Sequence, residues 1–236
     1  MNISVVIPIY PPHFKLIPNI INNLLKSTLL PNEIILALSE INQNDALELC
    51  KKEIKLCNEN NVLLIITADL NINYAGGNRN RGFKFSTGEI ITFIDIDDET
   101  HIQKIEIIKN IFTKISNIKM LLHNYSIKKE IKEIHNINNI NIYKFVGEFS
   151  RQNVQKFCND KNFNNVHRGH ATFHRSVLEK INYKDNMRNG QDSEFTKRVY
   201  ENFNNTYLLD VELVNYKGSN SKPRLWYYQD KLKKKN

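Results

Sequence analysis

Residues 89–99, Glu-Ile-Ile-Thr-Phe-Ile-Asp-Ile-Asp-Asp-Glu, limit what this chain can fold into more than any other stretch. They begin as a β-branched, apolar run, the signature of a buried strand. They end in Asp95, Asp97, Asp98 and Glu99. Side chains two apart on a strand point the same way, so Asp95 and Asp97 are expected to share a face. Two such charges about 5 Å apart repel by roughly 1 kcal/mol in water and about 3 in a partly dry cleft. A hard divalent cation relieves that cost, because carboxylate oxygens are its preferred ligands. The stretch therefore reads as the edge of a metal site, against the alternative of a solvated acidic loop.

Around this strand, apolar runs alternate with one-sided helical patterns. Ile3 to Tyr10 is a strand stopped by Pro8, Pro11 and Pro12. Ile17, Ile20, Ile21, Leu24 and Leu25 share a helical face. Strands are predicted at Glu33 to Leu38 and Val62 to Thr67, separated by a helix carrying Leu47, Cys50, Ile54 and Cys57. After the acidic strand, Ile102, Ile105, Ile108, Phe112 and Ile115 mark another helix, with Thr100 as its N-cap. This alternation predicts an open, mostly parallel α/β sheet flanked by helices, whose ligands bind at the carboxyl ends of the strands. The acidic cluster and Tyr10 both lie at such ends.

Ala75-Gly76-Gly77-Asn78-Arg79-Asn80-Arg81-Gly82 should open a helix running to about Ser86. Its glycines and free N–H groups suit a close-lying anion, and Arg79 or Arg81 could bind phosphate. Equally, the glycines could serve helix–sheet packing alone.

The second half is less regular. Strands are expected at Met120 to Tyr125 and Ile142 to Phe149, an exposed polar excursion at Ser126 to Asn141, and a loop at Phe157 to Val166. A short strand follows His167-Arg168-Gly169-His170, and Ser176 to Glu179 has capping-box spacing. Phe195, Val199 and Phe203 form the stripe of a helix whose N-terminus holds Asp192. There the macrodipole favours an ionised carboxylate, which is either a cap or a general base. A last strand is placed at Thr206 to Tyr216.

The 236 residues suit a single domain, with a regular α/β half at 1–118, a more variable half at 119–216 carrying a smaller sheet, and a basic tail at 217–236. In the tail, Lys217, Lys222, Arg224, Lys231, Lys233, Lys234 and Lys235 oppose only Asp230, and Trp226, Tyr227 and Tyr228 lie among them. Such a tail could clamp a nucleotide or lie on an anionic membrane. The net charge of +8 raises nucleic acid and anionic small molecules as other partners. Cys50, Cys57 and Cys158 offer no pairing geometry, which points to a reducing compartment and a cytoplasmic protein, peripheral at most. No apolar run is long enough to span a membrane.

In this order the motifs resemble those of the family-two glycosyltransferases, which have the GT-A (Rossmann-like) fold. Val5 to Tyr10 is similar to that family's opening strand, Gly76 to Gly82 to its glycine-then-Arg-Asn segment, Phe93 to Asp98 to its D-x-D signature, and Gly190 to Phe195 to its later acidic motif. The resemblance implies a metal-dependent, inverting enzyme moving one sugar from a nucleotide-diphosphate sugar, a UDP-sugar first, to an acceptor hydroxyl on a glycan, lipid-linked or protein substrate. It implies Asp97 and Asp95 as ligands of Mn2+ or Mg2+, and Asp192 as the base. Pro8, Tyr10, Glu40, Gly76, Arg79 and Asp95 fall on the donor side, and Arg168, His170 and Gln191 on the acceptor side. Glu40 stands where the family places an Asp, and Gln191 where an acid is common. The alternatives are a non-catalytic module binding nucleic acid or anionic membrane, and a sugar nucleotidyltransferase.

Overall fold

The computed structural model describes residues 1–127 and 134–217. The basic tail beyond Lys217, with its tryptophan and tyrosines, and part of the polar excursion lie outside the described residues.

Strands β1 (Ile3–Ile9), β2 (Glu33–Ser39), β3 (Leu63–Asp69) and β4 (Ile90–Phe93) form a parallel unit in the order β3-β2-β1-β4. Strands β5 (Glu99–Thr100), β6 (Met120–Ile127), β7 (Ile142–Lys144), β8 (Thr172–His174) and β9 (Thr206–Tyr216) complete a nine-stranded sheet. β1 to β4, β6 and β9 run one way, and β5, β7 and β8 run against them. The strands of residues 119–216, expected to build a smaller sheet of their own, extend this one instead. β8 is the join, since it pairs antiparallel with both β4 and β6.

Apolar residues cover both faces of β1, which is why its sequence reads as a continuous run. Ile3, Val5, Ile7 and Ile9 point into one core layer, with helices α1 (Ile17–Leu25), α3 (Lys51–Glu59) and α5 (Lys104–Lys114). Val6 points into the other, with Ile35, Phe93, Phe173 and Phe195. Cys50, Cys57 and Cys158 are buried and unpaired.

Several boundaries depart from expectation. Cys50 divides its helical stretch into α2 (Gln43–Leu49) and α3. Thr100 belongs to β5 and does not cap α5, which begins after Gln103. The loop predicted from Phe157 is partly helix: α6 (Arg151–Asp160) is capped by Ser150, whose hydroxyl accepts from Asn153 N, and is held by buried Val154 and Cys158 four apart. Only Ile142–Lys144 of the strand expected to reach Phe149 forms. The turn α7 (Arg175–Leu178) is capped by His174, whose side chain accepts from Ser176 N, so Ser176 is inside the helix.

Helix α4 (Ala75–Lys84) lies against β1 at Gly82. A Cβ there would stand 2.4 Å from Val6 Cγ1. Gly82→Ala gains about 1 kcal/mol of helix propensity but forces apart two packed elements, at about 1–3 kcal/mol. The net expectation is a loss of up to about 2 kcal/mol, read as a lower midpoint in thermal or urea unfolding. A midpoint equal to or above that of the wild type would show that the helix shifts without cost.

Candidate active site

The site is built where β1 and β4 end, and Pro8 decides where that is. Val6 O accepts from Ile94 N at 3.1 Å, so the even residues of β1 face β4. The next donor on that edge would be Pro8, which has no N–H. The ladder stops, and the chain after Ile94 is released into a turn, closed by Asp98 N donating to Asp95 O at 3.2 Å. Asp95, Asp97 and Asp98 therefore lie beyond the strand, and alternation along it does not set their directions. Asp97 borders a cavity of about 940 Å³ shared with Lys217 and Asn23. Asp95 borders a separate cavity of about 360 Å³ shared with Asp192, His167 and Arg168.

Arg79, only 1% exposed, joins the two carboxylates of that smaller cavity. One guanidinium nitrogen donates to Asp95 Oδ1 at 2.7 Å and the other to Asp192 Oδ1 at 2.5 Å. The group lies 5.7 Å from the Phe93 ring centroid and 5.3 Å from that of Tyr183. Burial pulls its pKa down, but Asp192 and Asp95 more than offset this, and it is raised. One side chain thus positions two acids 97 residues apart in the chain (192 − 95).

Helix α8 (Gln191–Phe203) brings Asp192, and Gly190 starts it from a left-handed φ of 68°. Gln191 Oε1 accepts from Gly76 N, tying the start of α8 to the start of α4. A Cβ at Gly76 would meet Gln191 Oε1 and Tyr183 Cβ, each at 3.0 Å. The close approach that the paired glycines allow is thus made by the protein's own side chains, and Gly76's N–H is taken.

Behind Asp95 lies a second cluster. Asp95, Asp98, His167 and His170 each offer a ligand atom within 4.8 Å of the others. Lys104 Nζ, buried at the start of α5, is 3.0 Å from His170 Nδ1. Nε2 accepts from Asp95 N at 3.3 Å and lies 3.0 Å from Asp98 Oδ2. Asp98 Oδ1 accepts from Lys217 N at 3.1 Å. Burial, then the charges of Asp95 and Asp97, push Asp98 up to about 8. Burial lowers Lys104 to about 7 and His167 to about 4, and holds His170 well below its usual value. Both imidazoles are thereby neutral, the form that ligates metals. His167 Nδ1 is buried without a hydrogen-bond partner among the described residues. Gly169 completes the arrangement, because a Cβ there would lie 2.5 Å from Asp95 Oδ2. The donor set suits a divalent ion, with His167, His170 and Asp98 where Asp97 had been expected.

The other expected donor-side residues line the strand ends. Pro8 is buried, and the Tyr10 ring packs on His13 at 4.2 Å between centroids. Glu40 follows β2 in a left-handed conformation, φ 63°, with its N–H on Asn71 O. Next to it, Arg81 pairs with Asp69 at 3.3 Å and donates to Leu38 O. Although burial opposes it, hydrogen bonds from Asn71 and Asn73 and the charge of Arg81 hold Asp69 below the usual carboxylate range. Asp69, Asp98, Lys104 and Gly169 were not singled out from sequence.

The comparisons with known proteins agree with this fold. Residues 4–182 match the family model described as glycosyl transferase family 2. No curated protein matches the chain by sequence. Among solved structures, Staphylococcus aureus TarS 1-349 in complex with UDP-GlcNAc superposes with a TM-score of 0.71 at 16% identity, over 94% of this chain and 60% of that one. The mannosyltransferase PcManGT from Pyrobaculum calidifontis, in complex with GDP-Man and Mn2+, gives 0.64 at 12% identity over 97% and 60%. Glucosyl-3-phosphoglycerate synthase from Mycobacterium tuberculosis, with phosphoglyceric acid, gives 0.60 at 12% over 92% and 72%. At these identities the likeness is one of fold. The chain spans about three fifths of the length of the TarS and PcManGT chains.

Proposed function

The chain belongs to glycosyl transferase family 2, and from that premise we propose that it moves one sugar from a nucleoside-diphosphate sugar to an acceptor hydroxyl with inversion at the anomeric carbon. The observation that carries this reading is the Asp95–Arg79–Asp192 bridge at the strand ends. Asp192 accepts the proton of the acceptor hydroxyl as its oxygen bonds to the anomeric carbon. The bond from that carbon to the phosphate oxygen breaks, and the nucleoside diphosphate leaves with the electron pair. Attack opposite the leaving group inverts the centre, and no enzyme nucleophile takes part. Arg79 orients both acids, and Tyr10, Glu40 and Asp69 form the nucleoside end of the donor site.

Asp95, Asp98, His167 and His170 are the residues that would hold a divalent ion. When bound, such an ion neutralises charge growing on the diphosphate leaving group. Two imidazoles in the set favour Mn2+ over Mg2+, which prefers oxygen ligands throughout. UDP-GlcNAc and GDP-Man, bound by proteins of the same fold, are the first donors to test.

A ligand at about 100 times its Kd stabilises the folded state by about 2.7 kcal/mol. At about 2–4 °C per kcal/mol for a chain of this size, the correct donor should raise the unfolding midpoint by about 5–10 °C with Mn2+. The shift should be smaller with Mg2+ and absent in Asp98→Ala. A donor panel without any metal-dependent shift in the wild type would remove the support for this reading. Among the described residues, no helix is long and apolar enough to cross a membrane.

A further inference from the structure

The wall of the Asp192 cavity carries two arginines that the transfer chemistry does not use. Arg151 is the exposed first residue of α6, and Arg168 is half-buried in the short turn before β8. Arg168 donates one N–H to Ser193 Oγ at 3.0 Å and lies 5.4 Å from the Phe149 ring centroid. These contacts hold the side chain in place but leave most of its donor fork unused. Neither arginine is within ion-pair distance of a carboxylate among the described residues, whereas Arg79 is bonded to both Asp95 and Asp192. Arg151 and Arg168 both line this one cavity, and burial and then the like charge of Arg151 lower the pKa of Arg168. Both helices at this wall, α6 and α8, present their N-terminal ends, where N–H groups also favour negative charge.

Resting on the transferase reading above, we propose that the acceptor carries an oxyanion, a phosphate or a carboxylate, seated on Arg151 and Arg168 while its hydroxyl meets Asp192. Planar guanidinium groups match both oxyanions bidentately. The cavity, about 360 Å³, has room for a small polyol or one sugar ring between the arginines and Asp192. Opposite charge at one end of the acceptor would fix which hydroxyl reaches the base.

The test is calorimetric titration at constant ionic strength of the full chain, saturated with Mn2+ and UDP, using glycerol, glycerol 3-phosphate and glycerate. The expected result is at least tenfold tighter binding of one charged probe than of glycerol, and the tighter of the two anions identifies the group. Arg168→Ala should weaken that binding at least tenfold and Arg151→Ala several-fold. If loss of the Phe149 contact prevents Arg168→Ala from folding, Arg151→Ala, at an exposed position, carries the test. Equal affinity for glycerol and both anions, or anion affinity unchanged in the arginine variants, overturns the inference. So does anion binding that vanishes once UDP is present, since the probe would then be in the diphosphate site. Failure of UDP to bind the wild type with Mn2+ instead counts against the transferase reading. The anion arm, repeated without UDP, still judges the arginines.

Discussion

Arg79→Ala is expected to abolish measurable transfer and to lower the unfolding midpoint by about 4–12 °C, at about 2–4 °C per kcal/mol. The guanidinium is fully buried and bonded to both acids, so its removal takes away the positive charge that lies between Asp95 and Asp192. Breaking a buried pair typically costs about 3–5 kcal/mol. Here the aspartates are 26% and 33% exposed and can be partly rehydrated, so about 2–3 kcal/mol is the better expectation. The catalytic loss is larger than the loss of stability. Misplacing a reacting group by about 1 Å costs about 10²-fold, and here both acids lose their anchor. Arg79→Lys keeps the charge but reaches one carboxylate at a time, and should recover stability more than rate. Activity of Arg79→Ala within tenfold of the wild type would mean that the two acids do not work as one unit.

Asp192→Asn should reduce kcat by about 10²–10⁴ while donor affinity stays within a few-fold of the wild type. An asparagine keeps an oxygen for Arg79, so the bridge and the fold persist, but it cannot take the acceptor's proton. The corresponding change at the ion-binding end, Asp98→Ala, should do the opposite and weaken the donor. A kcat for Asp192→Asn close to that of the wild type, with initial rates measured at saturating donor, would reassign the base.

The parallel unit was legible because each of its strands is a largely apolar run, and buried strands need no alternation to be recognised. The end of the last of them was misread for a local reason. Pro8 withholds one N–H from β4, so the acidic residues turn away from the strand. Their expected shared face is lost, and Asp95 and Asp97 border different cavities. The Asp98 cluster was hidden because it depends on long-range contacts: His170 comes from a turn before β8, and Lys104 from a helix whose apolar stripe conceals a buried ammonium. Two histidines three apart around Gly169 were the available signal, since such spacing on a tight turn places both rings on one side. Arg79 was legible as a candidate site residue. Its two carboxylate partners, 16 and 113 residues away, were not. Helix α6 was missed because only Val154, Phe157 and Cys158 of its ten residues are apolar, too few to show a period.

The most direct test is a crystal structure of the full chain soaked with Mn2+ and UDP. The ion should sit on Asp95 and Asp98 with the diphosphate against it, and the diphosphate should open into the cavity that holds Asp192. A nucleotide bound in the larger cavity beside Asp97, with Asp95 and Asp98 bare of any ion, would contradict the site described above.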